Sequence, residues 1–343
     1  MRSHLFYCFF LDLAMQQEFE LFKKIVEQGK RFVLTTHVNP DGDGLGCEVA
    51  LAEFLALRGK ETHILNHSET PYYYRFLDVL GAIQKFDPAQ HTRILHEADV
   101  IIVLDTNSPD RLASLKDYVL ASKAKKICID HHLDTTDFAD VYILDEPSAA
   151  TGEILYRLLA FLNGDSFSKG TATALYTAIM TDTGSFRFPK TDPEVHRQAA
   201  HLIECGADPV AIYQHVYEQG SAGRIQLLGK ALSTLQFAHE GKVASLYITQ
   251  KMFDETQTSG VDADNIVNYT LAINGVQIGI MLSKMEGGVK MNFRSKGDIW
   301  INKLAKEFGG NGHKNAAGAR VLNSNVHELL QQALDRSKSY IIS

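Results

Sequence analysis

Four segments of the chain set carboxylates and imidazoles at spacings that could hold a divalent cation. Thr36-His37-Val38-Asn39-Pro40-Asp41-Gly42-Asp43-Gly44 follows an apolar run. It brings one imidazole and two carboxylates into a loop whose glycines permit tight turns. Val103-Leu104-Asp105 ends a second apolar run on a carboxylate, which is expensive to bury unless it is paired or metal-bound. Ile129-Asp130-His131-His132 ends a third. Successive side chains of an extended strand point to opposite faces, so the two histidines serve separate roles. Met180-Thr181-Asp182 closes an otherwise apolar helical pattern, where the helix dipole disfavours an anion and a compensating cation is required. Each segment alone also fits a turn, a helix cap or a surface histidine. Together they offer His37, Asp41, Asp43, Asp105, His131 and Asp182, mostly oxygen donors with two imidazoles and no thiolate. That set suits Mn2+ or a similar divalent cation better than structural zinc.

Strands must carry three of these segments, because open α/β sheets place ligands just beyond the carboxyl ends of their strands. Short β-branched runs predict strands over Phe32 to Thr36, Thr62 to Leu65, Val100 to Leu104, Lys126 to Ile129 and Val141 to Leu144. Apolar spacing of three and four predicts helices over Leu45 to Leu57, Ala149 to Phe161, Thr171 to Met180 and Glu194 to Glu204. The alternation implies an α/β fold with a mostly parallel sheet flanked by helices. From Asp208 to His239 the pattern stays helical without a strand, a helical connector. Strands return at Val243 to Ile248, Val276 to Leu282 and Val289 to Phe293, with helices after Asp262 and Ile299, a smaller C-terminal α/β domain. The expected organisation is thus residues 15–207 as the metal-binding catalytic domain, 208–239 as connector and 240–343 as the substrate-binding domain.

The second domain carries a different chemistry. Gly309-Gly310-Asn311-Gly312-His313 precedes a helical pattern, so its backbone N–H groups would form an anion-binding nest at a helix N-terminus. Arg294 and Ser295 end what reads as the last strand of that domain, and His313 stands beside the glycines; these residues, with Gly310 and Gly312, are candidate phosphate contacts. Arg111, after the Asp105 strand, is another, with simple solvent exposure an equal reading. Trp300 and Tyr269, single aromatics at helical spacing, read as core rather than as base-stacking platforms.

Composition bounds the function. The 343 residues suffice for two domains, each with its own core. A formal net charge of -7 argues against a protein wrapped around duplex nucleic acid. The charge is uneven: residues 1–219 carry 20 basic and 31 acidic groups, net -11, and residues 220–343 carry 14 and 10, net +4. The acidic part suits cations and the basic part suits phosphates. Four cysteines, Cys8, Cys47, Cys128 and Cys205, lack CxxC spacing and read as reduced cytoplasmic thiols. No apolar run approaches a bilayer span. Leu5 to Leu11 is short and followed at once by Asp12, so it reads poorly as a signal segment. An ordinary amphipathic helix begins near Met15.

The ordered set His-x-x-x-Asp-x-Asp, a strand-end Asp, Asp130-His131-His132 and a later Asp resembles the DHH phosphoesterase superfamily. Phe308 to Gly318, FGGNGHKNAAG, resembles the glycine-rich signature of the associated DHHA1 domain, with Asn311 where that signature usually has glycine. The wording THVNPDGD and GHKNAAG is most similar to the oligoribonuclease and 3′-phosphoadenosine 5′-phosphate (pAp) phosphatase group. The resemblance implies two Mn2+ ions, with Mg2+ or Co2+ as substitutes, that activate a bridging water. His37 and Asp41 would hold one ion, Asp43 and His131 the other, with Asp105 bridging and Asp182 completing the second. It further implies that Asp130 orients a histidine, that His132 serves the phosphate or the leaving group, and that Arg294 and His313 grip substrate across an interdomain cleft. The implied substrates are short single-stranded oligonucleotides, released as 5′-mononucleotides, and pAp, with no stable duplex DNA binding, no membrane and a homodimer as a compatible assembly. Cyclic or linear dinucleotide phosphodiesterase and exopolyphosphatase or pyrophosphatase share the metal set. A nucleotide-binding sensor is the non-enzyme alternative, disfavoured because all six ligands are present.

Overall fold

Alternating strands and helices close on separate cores on either side of the Gln219–Gly220 junction in the computed structural model. The structure describes residues 13–342 apart from Leu80 and Asp134, so the Leu5 to Leu11 stretch and Cys8 lie outside the described residues. In the first unit the strands are β1 (Arg31–Thr35), β2 (Glu61–Asn66), β3 (Ile83–Lys85), β4 (Val100–Leu104), β5 (Lys125–Asp130) and β6 (Val141–Leu144). They form one sheet in the order β3-β2-β1-β4-β5-β6, every pairing parallel. The helices are α1 (Leu13–Gln28), α2 (Gly42–Ala56), α3 (Pro88–Glu97), α4 (Lys116–Ala121), α5 (Thr151–Asn163), α6 (Lys169–Asp182), α7 (Pro193–Glu204) and α8 (Pro209–Tyr217).

The sheet is covered on both faces, which explains why β4 reads as an unbroken apolar run. Val100, Ile102 and Leu104 pack into the core with Phe32 and Leu34, while Ile101 and Val103 face a second cluster with Val33 and Leu65. Helix starts follow local chemistry: Asp87, Asp192 and Asp208 each cap a helix that opens with proline. Between α2 and α6 the backbones meet closely. A Cβ on Gly46 would lie 2.4 Å from the Ala174 carbonyl oxygen, so only glycine fits.

The second unit opens with α9 (Ala222–Leu232), followed by α10 (Gln250–Thr256), α11 (Asn268–Leu271), α12 (Ile301–Lys306) and α13 (Val326–Ser337). Its strands are β7 (Gln236–Ala238), β8 (Val243–Ile248), β9 (Ile278–Met285), β10 (Gly288–Ser295), β11 (Asn311–Gly312) and β12 (Ala316–Leu322), in the order β11-β12-β10-β9-β8-β7. Only β8 and β9 pair in parallel among these neighbours.

Three readings of the sequence are corrected here. The 208–239 segment is not purely helical: β7 lies within it, a three-residue strand on the sheet edge too short to show a period. The glycine motif does not precede a helix. It follows α12 and turns through β11 into β12, where Ala317 and Ala319 alternate inward without the β-branched residues that mark most strands. β10, which carries Arg294 and Ser295, is consequently an interior strand paired with β9 and β12 rather than the last strand.

Candidate metal centre

The strand order reverses direction between β1 and β4, and in open parallel sheets that switch point opens a crevice at the strands' carboxyl ends. His37 lies two residues beyond β1 and Asp105 immediately beyond β4. Their side chains meet, with His37 Nε2 3.2 Å from Asp105 Oδ2. Asp105 sits in the left-handed region at φ 60°, a conformation that aspartate tolerates better than most residues. Asp41 caps α2, accepting from the backbone N–H groups of Asp43 and Gly44 at 3.1 and 3.2 Å, and its other oxygen lies 3.6 Å from His37 Nε2. His37, Asp41 and Asp105 therefore converge as one potential ligand group.

A second group forms from Asp43, His131 and Asp182. His131 Nε2 lies 3.2 Å from Asp182 Oδ2, 3.9 Å from Asp43 Oδ2 and 3.8 Å from Asp105 Oδ1. Asp105 thus turns one oxygen to each group. The N-terminus of α5 fixes Asp43: the N–H groups of Thr151 and Gly152 donate to its two oxygens at 2.7 and 2.8 Å, and Thr151 Oγ1 donates to Asp105 Oδ1 at 3.0 Å. His37 Nδ1 lies 2.9 Å from the Val38 carbonyl and His131 Nδ1 3.2 Å from the Ser148 carbonyl. A carbonyl only accepts, so each Nδ1 donates, which makes Nε2 the nitrogen that would meet a cation.

His132 adjoins these groups, its Nδ1 3.6 Å from Asp105 Oδ1, and with Asp105 and His131 it makes a third potential ligand group; it also pairs with Asp130. His132 Nδ1 donates to Asp130 Oδ1 at 2.6 Å, and the same oxygen accepts from the His131 N–H at 2.8 Å. Asp130 is fully buried. Arg111 Nη1 lies 3.5 Å from His132 Nε2, and the Arg111 carbonyl accepts from the Val38 N–H at 2.7 Å, tying its 3₁₀ turn to the His37 loop.

Crowded carboxylates give the centre its electrostatics. Burial raises Asp43 well above the carboxylate range, and the charges of Asp105, Asp182 and Asp41 raise it further. Burial, with Asp105 and Asp41, lifts Asp182 to about 6. Burial pulls the His37 imidazolium down, but hydrogen bonds to Asp105 and Asp41 outweigh it and carry the group to about 10. Asp105 is desolvated too, yet His37, His132 and His131 around it hold its carboxyl well below its usual range. The centre therefore gathers protons to balance its charge, and a divalent cation would do the same work while displacing them. Donor chemistry, fixed imidazole orientation and charge demand all fit a hard divalent cation.

The remaining candidates lie in the second unit. Burial pulls the Arg294 guanidinium below its ordinary value, and Arg294 Nη1 donates to the Phe293 carbonyl at 3.0 Å. Ser295 is buried and engaged in the scaffold, donating to the Ile299 carbonyl at 2.8 Å and accepting from Asn315 Nδ2 at 2.9 Å. His313 is exposed and donates its N–H to the Ala316 carbonyl. Gly310 is demanded by packing, since a Cβ there would lie 2.1 Å from the Gly318 carbonyl oxygen. Gly312 has φ 148°, whereas Asn311 keeps a negative φ, so asparagine at that position strains nothing. Trp300 and Tyr269 are 42% and 50% exposed and belong to no core, against the expectation from their spacing.

Several supporting residues carried no sequence signal of this role. Thr151, Gly152 and Ser148 act on candidate ligands more than 15 positions away. Glu48 accepts from Asn66 Nδ2 at 2.8 Å, and Asn66 Oδ1 accepts from the Thr36 N–H at 3.1 Å, bracing the residue before His37. The described cysteines Cys47, Cys128 and Cys205 are free thiols, and no described helix is long and apolar enough to cross a membrane.

The chain is similar to known proteins over most of its length. The model described as "DHH family, N-terminal domain" matches residues 31–179, and that of the "DHHA1 domain" matches residues 240–342. The chain is 28% identical over 306 residues to the bifunctional oligoribonuclease and PAP phosphatase NrnA of Thermus thermophilus, covering 88% of this chain and 87% of that protein. It is 26% identical over 293 residues to the Bacillus subtilis protein of the same name, covering 84% and 88%. An exopolyphosphatase-related protein from Bacteroides fragilis has a solved structure that matches with a TM-score of 0.90 at 31% identity, covering 94% of this chain and 97% of that one.

Proposed function

The chain is a hydrolase of the DHH phosphoesterase family with a DHHA1 domain, and from that premise we propose that it hydrolyses short oligoribonucleotides to 5′-mononucleotides and removes the 3′-phosphate of pAp. The reading is supported by relatives whose names carry both activities. Both reactions break a P–O bond to a ribose 3′-oxygen, so one centre serves both. The observation that carries the reading is the Asp105 carboxylate, with Oδ2 toward the His37 group and Oδ1 toward the His131 group. One carboxylate addressing two ligand sets is the arrangement a pair of ions needs.

In this reading His37, Asp41 and Asp105 would hold one Mn2+, and Asp43, His131 and Asp182, together with Asp105, would hold the second. Such a pair supplies charge neutralisation at the phosphate and an acidified water nucleophile. The protein side chains do the rest. Asp130 fixes the His132 ring through Nδ1, so that Nε2 delivers a proton to the departing 3′-oxygen. Burial disfavours the His132 imidazolium, but the Asp130 hydrogen bond and the nearby Asp105 charge outweigh it and raise the group, which keeps it an acid near neutral pH. Arg111, beside His132, holds a non-bridging phosphate oxygen. In the second unit Arg294, His313 and the turn at Gly310 and Gly312 bind substrate phosphate, while Ser295 braces that turn.

A panel of pAp, labelled two-to-five-residue RNA, linear and cyclic dinucleotides and polyphosphate, each with Mn2+, tests the proposal. Turnover concentrated on pAp and short RNA is the expected result. Turnover confined to polyphosphate, or to cyclic dinucleotides, would replace it.

A further inference from the structure

The chain contains a single tryptophan, and the second unit presents it to solvent. Trp300 is 42% exposed although its neighbours Ile299 and Ile301 are 3% and 0% exposed. Its backbone is held from both sides. The Ile299 carbonyl accepts from Ser295 Oγ at 2.8 Å and from Asn315 Nδ2 at 3.4 Å, and the Ile301 N–H donates to the Lys314 carbonyl at 2.7 Å. These bonds mount the indole on a scaffold shared by the end of β10 and the glycine motif. A backbone anchored this way lowers the ordering cost of presenting the ring to a planar partner.

Two ammonium groups accompany the ring. Lys303 Nζ lies 5.5 Å and Lys314 Nζ 5.7 Å from its centroid, and Lys314 also donates to Asp298 Oδ1 at 2.7 Å. Both ammonium groups lie over the part-exposed ring; with these long side chains swung off it toward phosphate, the ring and its cations make the pairing by which single-stranded nucleic acid is bound, the ring stacking a base and the cations meeting phosphate. We propose that Trp300, with Lys303 and Lys314, is a nucleobase subsite of the second unit, stacking a base of the substrate and drawing its phosphates to the two lysines. The proposal rests on the nucleotide reading above and deepens it, because polyphosphate has no base to stack.

The lone tryptophan makes the test direct. With excitation selective for indole, AMP and pAp should quench the fluorescence of the Mn2+-loaded protein saturably, while ribose 5-phosphate and inorganic phosphate should not. Trp300→Ala should raise KM for pAp and for a dinucleotide roughly 10-fold, within the range of base–aromatic stacking, with kcat unmoved. Trp300→Phe, which keeps an aromatic plane, should restore KM to within about threefold of the original. Absence of quenching by AMP and pAp overturns the subsite, as does an unchanged nucleotide KM in Trp300→Ala. Failure of the nucleotide reading is separate: it appears as no hydrolysis of pAp or short RNA by the unaltered protein, a result that AMP quenching does not depend on.

Discussion

His132 Nδ1 donates to a fully buried Asp130 oxygen at 2.6 Å. Asp130 therefore sets both the tautomer and the charge of an imidazole whose Nε2 faces Arg111. Asp130→Asn keeps the shape and removes the charge, so the His132 imidazolium is favoured less and its pKa falls. The expected outcome is a kcat lower by about 10²-fold with the alkaline limb of the kcat profile moved to lower pH. A lower kcat with an unmoved alkaline limb would assign Asp130 to folding alone. Metal affinity, measured in parallel, should stay near that of the unaltered protein.

Gly152 supports Asp43 through a position where no side chain fits. Its N–H donates to Asp43 Oδ1 at 2.8 Å, and a Cβ there would lie 2.6 Å from the Ala178 Cβ and 3.3 Å from that same oxygen. Gly152→Ala should force α5 from α6, weaken divalent-metal affinity by roughly 10- to 100-fold and cost about 1–3 kcal/mol of stability. Adding Ala178→Gly removes the obstructing methyl and should return part of both losses. Calorimetric Mn2+ titration of the three chains checks it; undiminished affinity in Gly152→Ala would contradict the role.

Glu48 supplies a pH dependence of stability. Burial lifts its carboxyl to about 8, the Asn66 hydrogen bond opposing only part of that, against an ordinary value of 4.5. Between those values the folded chain holds a proton that the unfolded chain has released, so stability falls as pH rises through that window and the contribution levels off above it. Glu48→Gln removes the group that titrates while keeping an acceptor for Asn66. In chelator, the variant should match the original near pH 4.5 and exceed it increasingly toward pH 8, with Tm higher by roughly 2–4 °C per kcal/mol. Parallel Tm curves across that range would show that Glu48 does not titrate there.

Much of the centre was legible because strand ends are local events. Thr35, Leu104 and Asp130 close three apolar runs that the sheet order then brings side by side, delivering His37, Asp105 and His131. The apolar pattern of α6 likewise located Asp182. The supports were not legible, because Asp43 meets Thr151 and Gly152 across more than 100 positions, and Glu48 meets Asn66 from another element. No local period encodes such pairings. The glycine motif misled for a different reason. Ala316-Ala317-Gly318-Ala319 has the composition of a helix, yet its register against β10 makes it a strand. Trp300 likewise had the spacing of a core residue, and only tertiary context exposes it.

The central claim, that this cluster is a metal centre which performs phosphoester hydrolysis, is tested most directly by Mn2+ titration of the chelator-stripped protein with phosphate release from pAp followed in the same samples. Asp105→Ala serves as the comparison, because Asp105 turns one oxygen to each group. The expected result is two Mn2+ per chain, turnover that rises with occupancy, and loss of both in the variant. Full turnover in chelator, or an Asp105→Ala chain that still binds two Mn2+ and turns over at the original rate, would contradict the account.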